Sequence, residues 1–167
     1  MDKVILSLLL YLMTAGSCWG AEFYYVNCAD QGHGGPLFDC INLSISPSSK
    51  EIMIGDNGEV MERDCISEDY LCTGSVMLPI SIPKKDYQNK KVWFFDGKKY
   101  AKSKVNAPSY FPWGEVDLIA VYEASGDLVL SFWYEKRKGV VAIGIPQKRQ
   151  NSGEVFYLSG ELGLFAE

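Results

Sequence analysis

Apolar and polar residues alternate along much of the chain. From Leu128 to Glu135, the residues Leu128, Leu130, Phe132 and Tyr134 share one face, and from Phe38 to Ile45 the residues Ile41, Leu43 and Ile45 do the same. A repeat of two marks a strand with one side in a core and the other in water. Ala21 to Cys28 is rich in aromatic and β-branched residues, which suit a pleated backbone. Glu154 to Phe165 is predicted as a closing strand, with Phe156, Leu158, Leu162 and Leu164 as its apolar side.

Turn-forming residues divide these runs. Asp96-Gly97 stands between Lys91–Phe95 and Lys98–Lys104. That pair is the two-residue turn whose twist best matches paired strands. Gly55-Asp56-Asn57-Gly58 is predicted as a hairpin loop between Glu51–Ile54 and Glu59–Cys65, because Gly and Asn tolerate positive φ. Ala124-Ser125-Gly126-Asp127 separates Val116–Glu123 from Leu128–Glu135, and the charged turn Lys136-Arg137-Lys138 precedes Gly139–Ile145. Short helical turns are expected near Ser67–Leu71 and Pro83–Gln88. The tripeptide Gly-Glu-Val recurs at 58, 114 and 153, too unevenly spaced for a structural repeat.

About ten short strands at hairpin spacing predict an all-β fold, an antiparallel β-sandwich or barrel. A parallel α/β sheet is disfavoured because no crossover helix is available. Val116–Tyr122 and Val140–Ile145 are apolar on both faces. They are expected at the centre, covered on both sides or set against another chain.

The N-terminus has a different pattern. Lys3 and the α-amine precede the uncharged, mostly apolar stretch Val4–Met13, and the small residues Thr14-Ala15-Gly16-Ser17 follow. That order is a secretory signal peptide, and the apolar stretch is shorter than the roughly 20 residues a helix needs to cross a bilayer. Residues 1–20 are therefore read as the signal and 21–167 as one β domain. Cutting after Gly20 competes with cutting before Cys18, since Ala15-Gly16-Ser17-Cys18 is a loose lipoprotein box lacking its large aliphatic residue. The first cut gives a periplasmic or secreted protein, the second a lipid tether at Cys18.

Export changes the reading of the cysteines. Cys28, Cys40, Cys65 and Cys72 remain after the signal, and an even count in an oxidising compartment predicts disulfides. The local pairs Cys28–Cys40 and Cys65–Cys72 are expected, since each closes a short loop of turn-formers. A thiol metal site is disfavoured because no Cys-x-x-Cys occurs and the chain has one His.

Charge and motifs narrow the chemistry further. The formal charge of −5 argues against nucleic acid and anionic membranes as partners. His33 lies in the loop Gln31-Gly32-His33-Gly34-Gly35-Pro36. His-Gly-Gly occurs in the oxyanion loop of some esterases, but the Gly-x-Ser-x-Gly elbow and second His they need are missing. Glu62, Asp64, Glu68 and Asp69 cluster around the second disulfide. A glycosidase needs two carboxylates at a set separation, which nothing in their order fixes. A solvated acidic loop is the simpler account, and such a loop could meet a basic surface. Asn106 to Gly114 holds two prolines with Tyr110, Phe111 and Trp113. Rigid aromatics on a loop are common anchors for proteins or sugars, although rings of this size are also buried as plugs. Trp93 and Trp133 are expected to be packing residues. Asn42-Leu43-Ser44 fits a glycosylation sequon, relevant only to a eukaryotic secretory route. No dinucleotide fingerprint, P-loop, zincin motif or EF-hand loop appears, and neither a cofactor nor a metal is expected.

These features together predict an exported, non-enzymatic binding protein of the cell envelope. An inhibitor or immunity-type protein is expected, one that occludes a secreted or invading enzyme such as a basic cell-wall hydrolase. Tyr110, Phe111, Trp113, Asp64, Glu68 and Asp69 are the expected partner-binding residues. The alternative is a β module that binds a glycan or another small ligand.

Overall fold

A computed structural model describes residues 22–28, 40–61, 65, 67–106, 114–147 and 153–167. Five of the expectations lie outside the described residues: the signal peptide with Cys18, the His33 loop, Glu62, Asp64 and the Tyr110–Trp113 loop.

The protein is all-β, and its chief element is one continuous ten-stranded antiparallel sheet. Four strands form an N-terminal meander: β1 (Phe23–Cys28), β2 (Cys40–Ser46), β3 (Glu51–Ile54) and β4 (Asn57–Val60). Next comes a small separate hairpin, β5 (Tyr70–Cys72) and β6 (Ser81–Pro83). Six strands form the C-terminal meander: β7 (Val92–Phe95), β8 (Lys98–Asn106), β9 (Glu115–Tyr122), β10 (Leu128–Glu135), β11 (Gly139–Ile145) and β12 (Glu154–Leu158). The order across the sheet is β4-β3-β2-β1-β12-β11-β10-β9-β8-β7. Every neighbour is consecutive in sequence except β1 and β12, which pair at Tyr25↔Leu158 and Val26↔Tyr157. Among the described residues the sheet therefore ends in two edges, β4 and β7.

One face of the sheet is apolar because the repeat of two puts alternate residues there. Tyr25, Leu43, Ile45, Ile52, Trp93, Tyr100, Ile119, Val121, Leu130, Phe132, Ile143 and Phe156 are all buried in a single cluster with Leu78, Ile80, Ile82 and Tyr87 from the segment between the meanders. That segment is tied down by polar contacts. The Tyr100 hydroxyl donates to the Pro79 carbonyl at 2.9 Å, and the Tyr87 hydroxyl donates to Asp117 Oδ2 at 2.7 Å.

Strand β11 is buried from Gly139 to Gly144 on both faces, as its composition predicts. Ile143 sits between Phe132 and Phe156 on the inner side. On the outer side Ala142 sits between the half-buried Trp133 and Tyr157. A Cβ placed on Gly144 would meet Ser131 Oγ at 2.5 Å and the Trp133 ring at 3.3 Å, so glycine is what lets the indole lie over β11.

Both local cysteine pairs are observed, Cys28 with Cys40 and Cys65 with Cys72. Cys28 and Cys40 are also direct partners in the β1–β2 ladder. The two disulfides fit an oxidising extracellular or periplasmic environment.

Three local expectations are corrected. The β3–β4 turn is the two residues Gly55-Asp56, with Ile54 opposite Asn57, so Asn57 and Gly58 belong to a strand. The closing strand stops at Leu158, and residues 159–167 turn back as a tail. Its Leu164 is buried while Leu162 is 53% exposed, so the alternation there is not a strand's. Residues 67–71 hold a bend and the start of β5 in place of a helical turn, because Ser67 Oγ takes the N–H groups of Asp69 and Tyr70. Near Pro83–Gln88 the chain does turn, with the N–H groups of Asn89 and Lys90 both on the Asp86 carbonyl.

Candidate functional site

Three places gather polar or aromatic side chains in arrangements suited to recognition. The first is the loop of the second disulfide. Glu68 and Asp69 are both exposed there. They do not stand as an isolated acidic patch. The Lys84 ammonium donates to the Ser67 carbonyl at 2.6 Å, and the Lys85 ammonium lies 3.4 Å from Asp69 Oδ1. An exposed pair of this kind contributes about 0–1 kcal/mol, but it does cancel local charge.

The second is on the inner face, around Tyr87. Its ring meets Trp93 and Tyr134 edge-on, with centroids 6.4 and 5.3 Å away, and Trp93 stacks on Tyr100 at 5.4 Å. The Lys102 ammonium sits 4.1 Å from the Tyr87 ring centroid and donates to the carbonyls of Tyr87 and Gln88. Burial lowers the Lys102 pKa from its ordinary value. Burial also raises Tyr87, and its hydrogen bond to Asp117 adds to the effect by favouring the protonated phenol. Among the described residues, Asp117 Oδ1, Trp93 Nε1 and Ser81 Oγ are buried without a hydrogen-bond partner. What this cluster does chemically is to anchor the 83–90 turn to the sheet.

The third is open to solvent, on the outer face of β7–β9 at their turn end. Phe94, Lys99, Tyr122 and Leu128 lie in one row across β7, β8, β9 and β10; Leu128 thus departs from the expected common face with Leu130, because the β9–β10 register shifts between the two. Phe94 is 69% exposed, Val92 48% and Leu128 42%. Phe94, Gly97, Lys99, Tyr122, Glu123, Ala124 and Gly126 line a groove of about 450 Å³. This volume lies within the roughly 300–1,000 Å³ of small-ligand clefts. A bare phenyl ring, a phenol, an ammonium and a carboxylate share this groove. Such a set can stack on and hydrogen-bond to a ligand.

The groove lies in a basic neighbourhood. Residues 84–104 carry eight of the chain's sixteen Lys and Arg residues against two Asp, although the whole chain is at −5. Some of these lysines are engaged: Lys85 with Asp69, Lys104 with Glu115 at 2.7 Å, and Lys102 with the 87–88 carbonyls.

Of the sequence-predicted partner residues, the structure describes Glu68 and Asp69 and places them side by side on the 65–72 loop. Phe94, Lys99 and Tyr122 are additions. The lysine run of 84–104 was the sequence signal for this face, and the net charge of the whole chain conceals it. No family model, curated protein or solved structure matches the chain.

Proposed function

We propose that this is an exported, non-enzymatic binding protein of the cell envelope, of the inhibitor or immunity type, which acts by occluding a partner. The observation that carries this reading is the outer-face groove with its uncovered Phe94. A ring left 69% in water on a rigid hairpin loses little entropy when a partner covers it. A few well-packed residues supply most of the affinity in protein interfaces, and aromatic side chains are enriched there. Occlusion needs no reacting group, only a rigid surface, and the ten-stranded sheet beneath the groove supplies one.

The test uses the full mature chain, immobilised and exposed to the envelope fraction of the cells that make it. A retained protein is expected whose activity falls when the chain is added. The double change Phe94→Ala, Tyr122→Ala is expected to weaken retention at least about tenfold, the loss of roughly 1.4 kcal/mol, with an unchanged melting temperature. The reading is lost if nothing is retained and no peptidoglycan hydrolase is inhibited. The glycan-binding alternative is favoured by one feature, the pairing of Lys99 and Glu123 with aromatic rings in a single groove. Saturable glycan binding that disappears in the same double variant would select it.

A further inference from the structure

The groove borders the open edge of β7, and the backbone there is unpartnered in a regular way. The β7–β8 turn is the two residues Asp96-Gly97, with Phe95 opposite Lys98. The Lys102 N–H donates to the Lys91 carbonyl at 2.7 Å, so Lys91 and Lys102 form a hydrogen-bonded pair. Hydrogen-bonded and non-hydrogen-bonded pairs alternate along an antiparallel ladder. Trp93 and Phe95 therefore bond to β8, whereas Val92 and Phe94, opposite Ala101 and Lys99, turn their N–H and C=O groups away from it. No backbone bond beyond the ladder reaches Val92 or Phe94 among the described residues. Their side chains are also the exposed ones. Two donors, two acceptors and two apolar side chains thus stand along one edge at strand spacing.

We propose that this edge receives an extended, acidic segment of a protein partner, added to the sheet as an antiparallel strand beside β7. The inference rests on the binding-protein reading above and gives the partner's chemistry. The backbone groups of Val92 and Phe94 complete a ladder with the incoming chain, and alternate apolar residues of that chain pack beside Val92 and Phe94. Charge selects the ligand. Lys91, Lys98 and Lys99 flank this edge, exposed or half-buried, and Lys90 is close by over the Tyr70 ring. The same lysines disfavour pairing β7 with the β7 of a second copy, since like charges on apposed edges repel. A lipid surface fits less well than a peptide, because hydrocarbon offers no partner for free N–H and C=O groups. Four residues is a short edge, so affinity for an isolated peptide is modest, and the groove residues supply the remainder in a whole partner.

The experiment uses the full mature chain with a blocked short peptide of alternating Glu and Val as the probe. Its controls are the Lys–Val counterpart and a Glu–Val peptide N-methylated at alternate positions. Backbone amide NMR shifts and hydrogen exchange report the site. The Glu–Val peptide is expected to bind saturably, to slow exchange at Val92 and Phe94, and to weaken as salt rises. Both control peptides are expected to bind at least about tenfold more weakly, in keeping with about 1.4 kcal/mol of lost hydrogen bonding or charge. Val92→Pro removes an outward N–H that makes no ladder bond, which an edge strand tolerates. It is expected to cost about tenfold in probe affinity. Phe94→Lys gives a second variant that keeps the backbone intact, and it should weaken the probe similarly. Equal binding of all three peptides, protection elsewhere on the chain, or concentration-dependent self-association through β7 overturns the proposal. So does binding to anionic vesicles in preference to the peptide. If Phe94→Ala with Tyr122→Ala abolishes capture of the envelope partner but Val92→Pro does not, strand addition is wrong and the binding-protein reading stands. If neither change affects capture, both fail.

Discussion

The two meanders share a topology and one core, yet they are held together by different means. On the inner face of β2 and β3 the residues are aliphatic: Leu43, Ile45 and Ile52, all fully buried. On β7–β10 the inner face of this more aromatic half sets four large rings, Trp93, Tyr100, Phe132 and Tyr134, among the aliphatic Ile119, Val121 and Leu130. The aliphatic half has short strands of four residues at its edge and a disulfide across the β1–β2 ladder. The aromatic half also ends in a four-residue strand, β7, but behind it stand strands of nine, eight and eight residues, with no disulfide among the described residues. Its phenols reach out to backbone carbonyls in place of a covalent link. Tyr100 bonds to Pro79, and Tyr134 reaches the Phe165 carbonyl at 3.5 Å. Tyr25 on β1 joins the halves, donating to the Val140 carbonyl at 3.0 Å and accepting from the Leu164 N–H at 3.2 Å. A phenol can both fill a core and satisfy a distant carbonyl, which an aliphatic residue cannot.

Alkali should break the aromatic half. Burial raises the pKa of Tyr25, Tyr87, Tyr100 and Tyr134 above the ordinary tyrosine value. Each phenol keeps its proton when folded and releases it on unfolding once the pH passes about 10. The stability they contribute is fully present below pH about 10 and is lost as pH rises above it. Four such groups lower the unfolding free energy by up to about 5 kcal/mol per pH unit in that window. Urea midpoints at successive pH values from 9 upward should fall steeply with a constant slope m, and a flat profile to pH 11 would refute the assignment.

Removing the first disulfide should break the other half. Cys28→Ser with Cys40→Ser is expected to cost about 3 kcal/mol, the loop-entropy value for a twelve-residue separation. Native-state hydrogen exchange should show the loss first at β2 and β3 amides, while β9–β11 stay protected. Uniform loss across the sheet would mean that the two halves open as one. The smallest effect sharpens the comparison: Tyr100→Phe removes one hydroxyl contact to Pro79 and leaves the packing, for a cost of about 1 kcal/mol by thermal unfolding.

Much of this fold was legible in the sequence, for physical reasons that differ along the chain. Asp96-Gly97 specified its turn, and both residues take positive φ there. The two-faced apolar run of β11 specified a strand covered on both sides. The local cysteine pairing followed from loop length and the turn-formers within each loop. Strands β5 and β6 were hidden because three residues, Tyr70–Cys72 and Ser81–Pro83, are too few to display a period. The tail was misread because Leu164 matches the alternation of β12 but reaches the core by another route. The Val140 N–H bonds to the Leu164 carbonyl, and Gly163 packs directly on the Val140 carbonyl, where a Cβ would collide. Of the candidate site, Glu68 and Asp69 were legible, but the lysine that pairs with Asp69, Lys85, comes from a turn sixteen residues away in sequence. Phe94 was not legible, since alternation alone does not tell which face of an edge hairpin meets water.

The pairing of β1 with β12 sets a timetable for the chain. A polypeptide made from its N-terminus can assemble β1–β4 early, and later the β7–β11 meander, each from local contacts. The second edge of β1 has no partner until the last strand is delivered, because Val26 waits for Tyr157. The Tyr25 hydroxyl likewise waits for Leu164. The finished sheet is therefore withheld until β12 and the tail behind it are free, and the two meanders then close on each other in one late step.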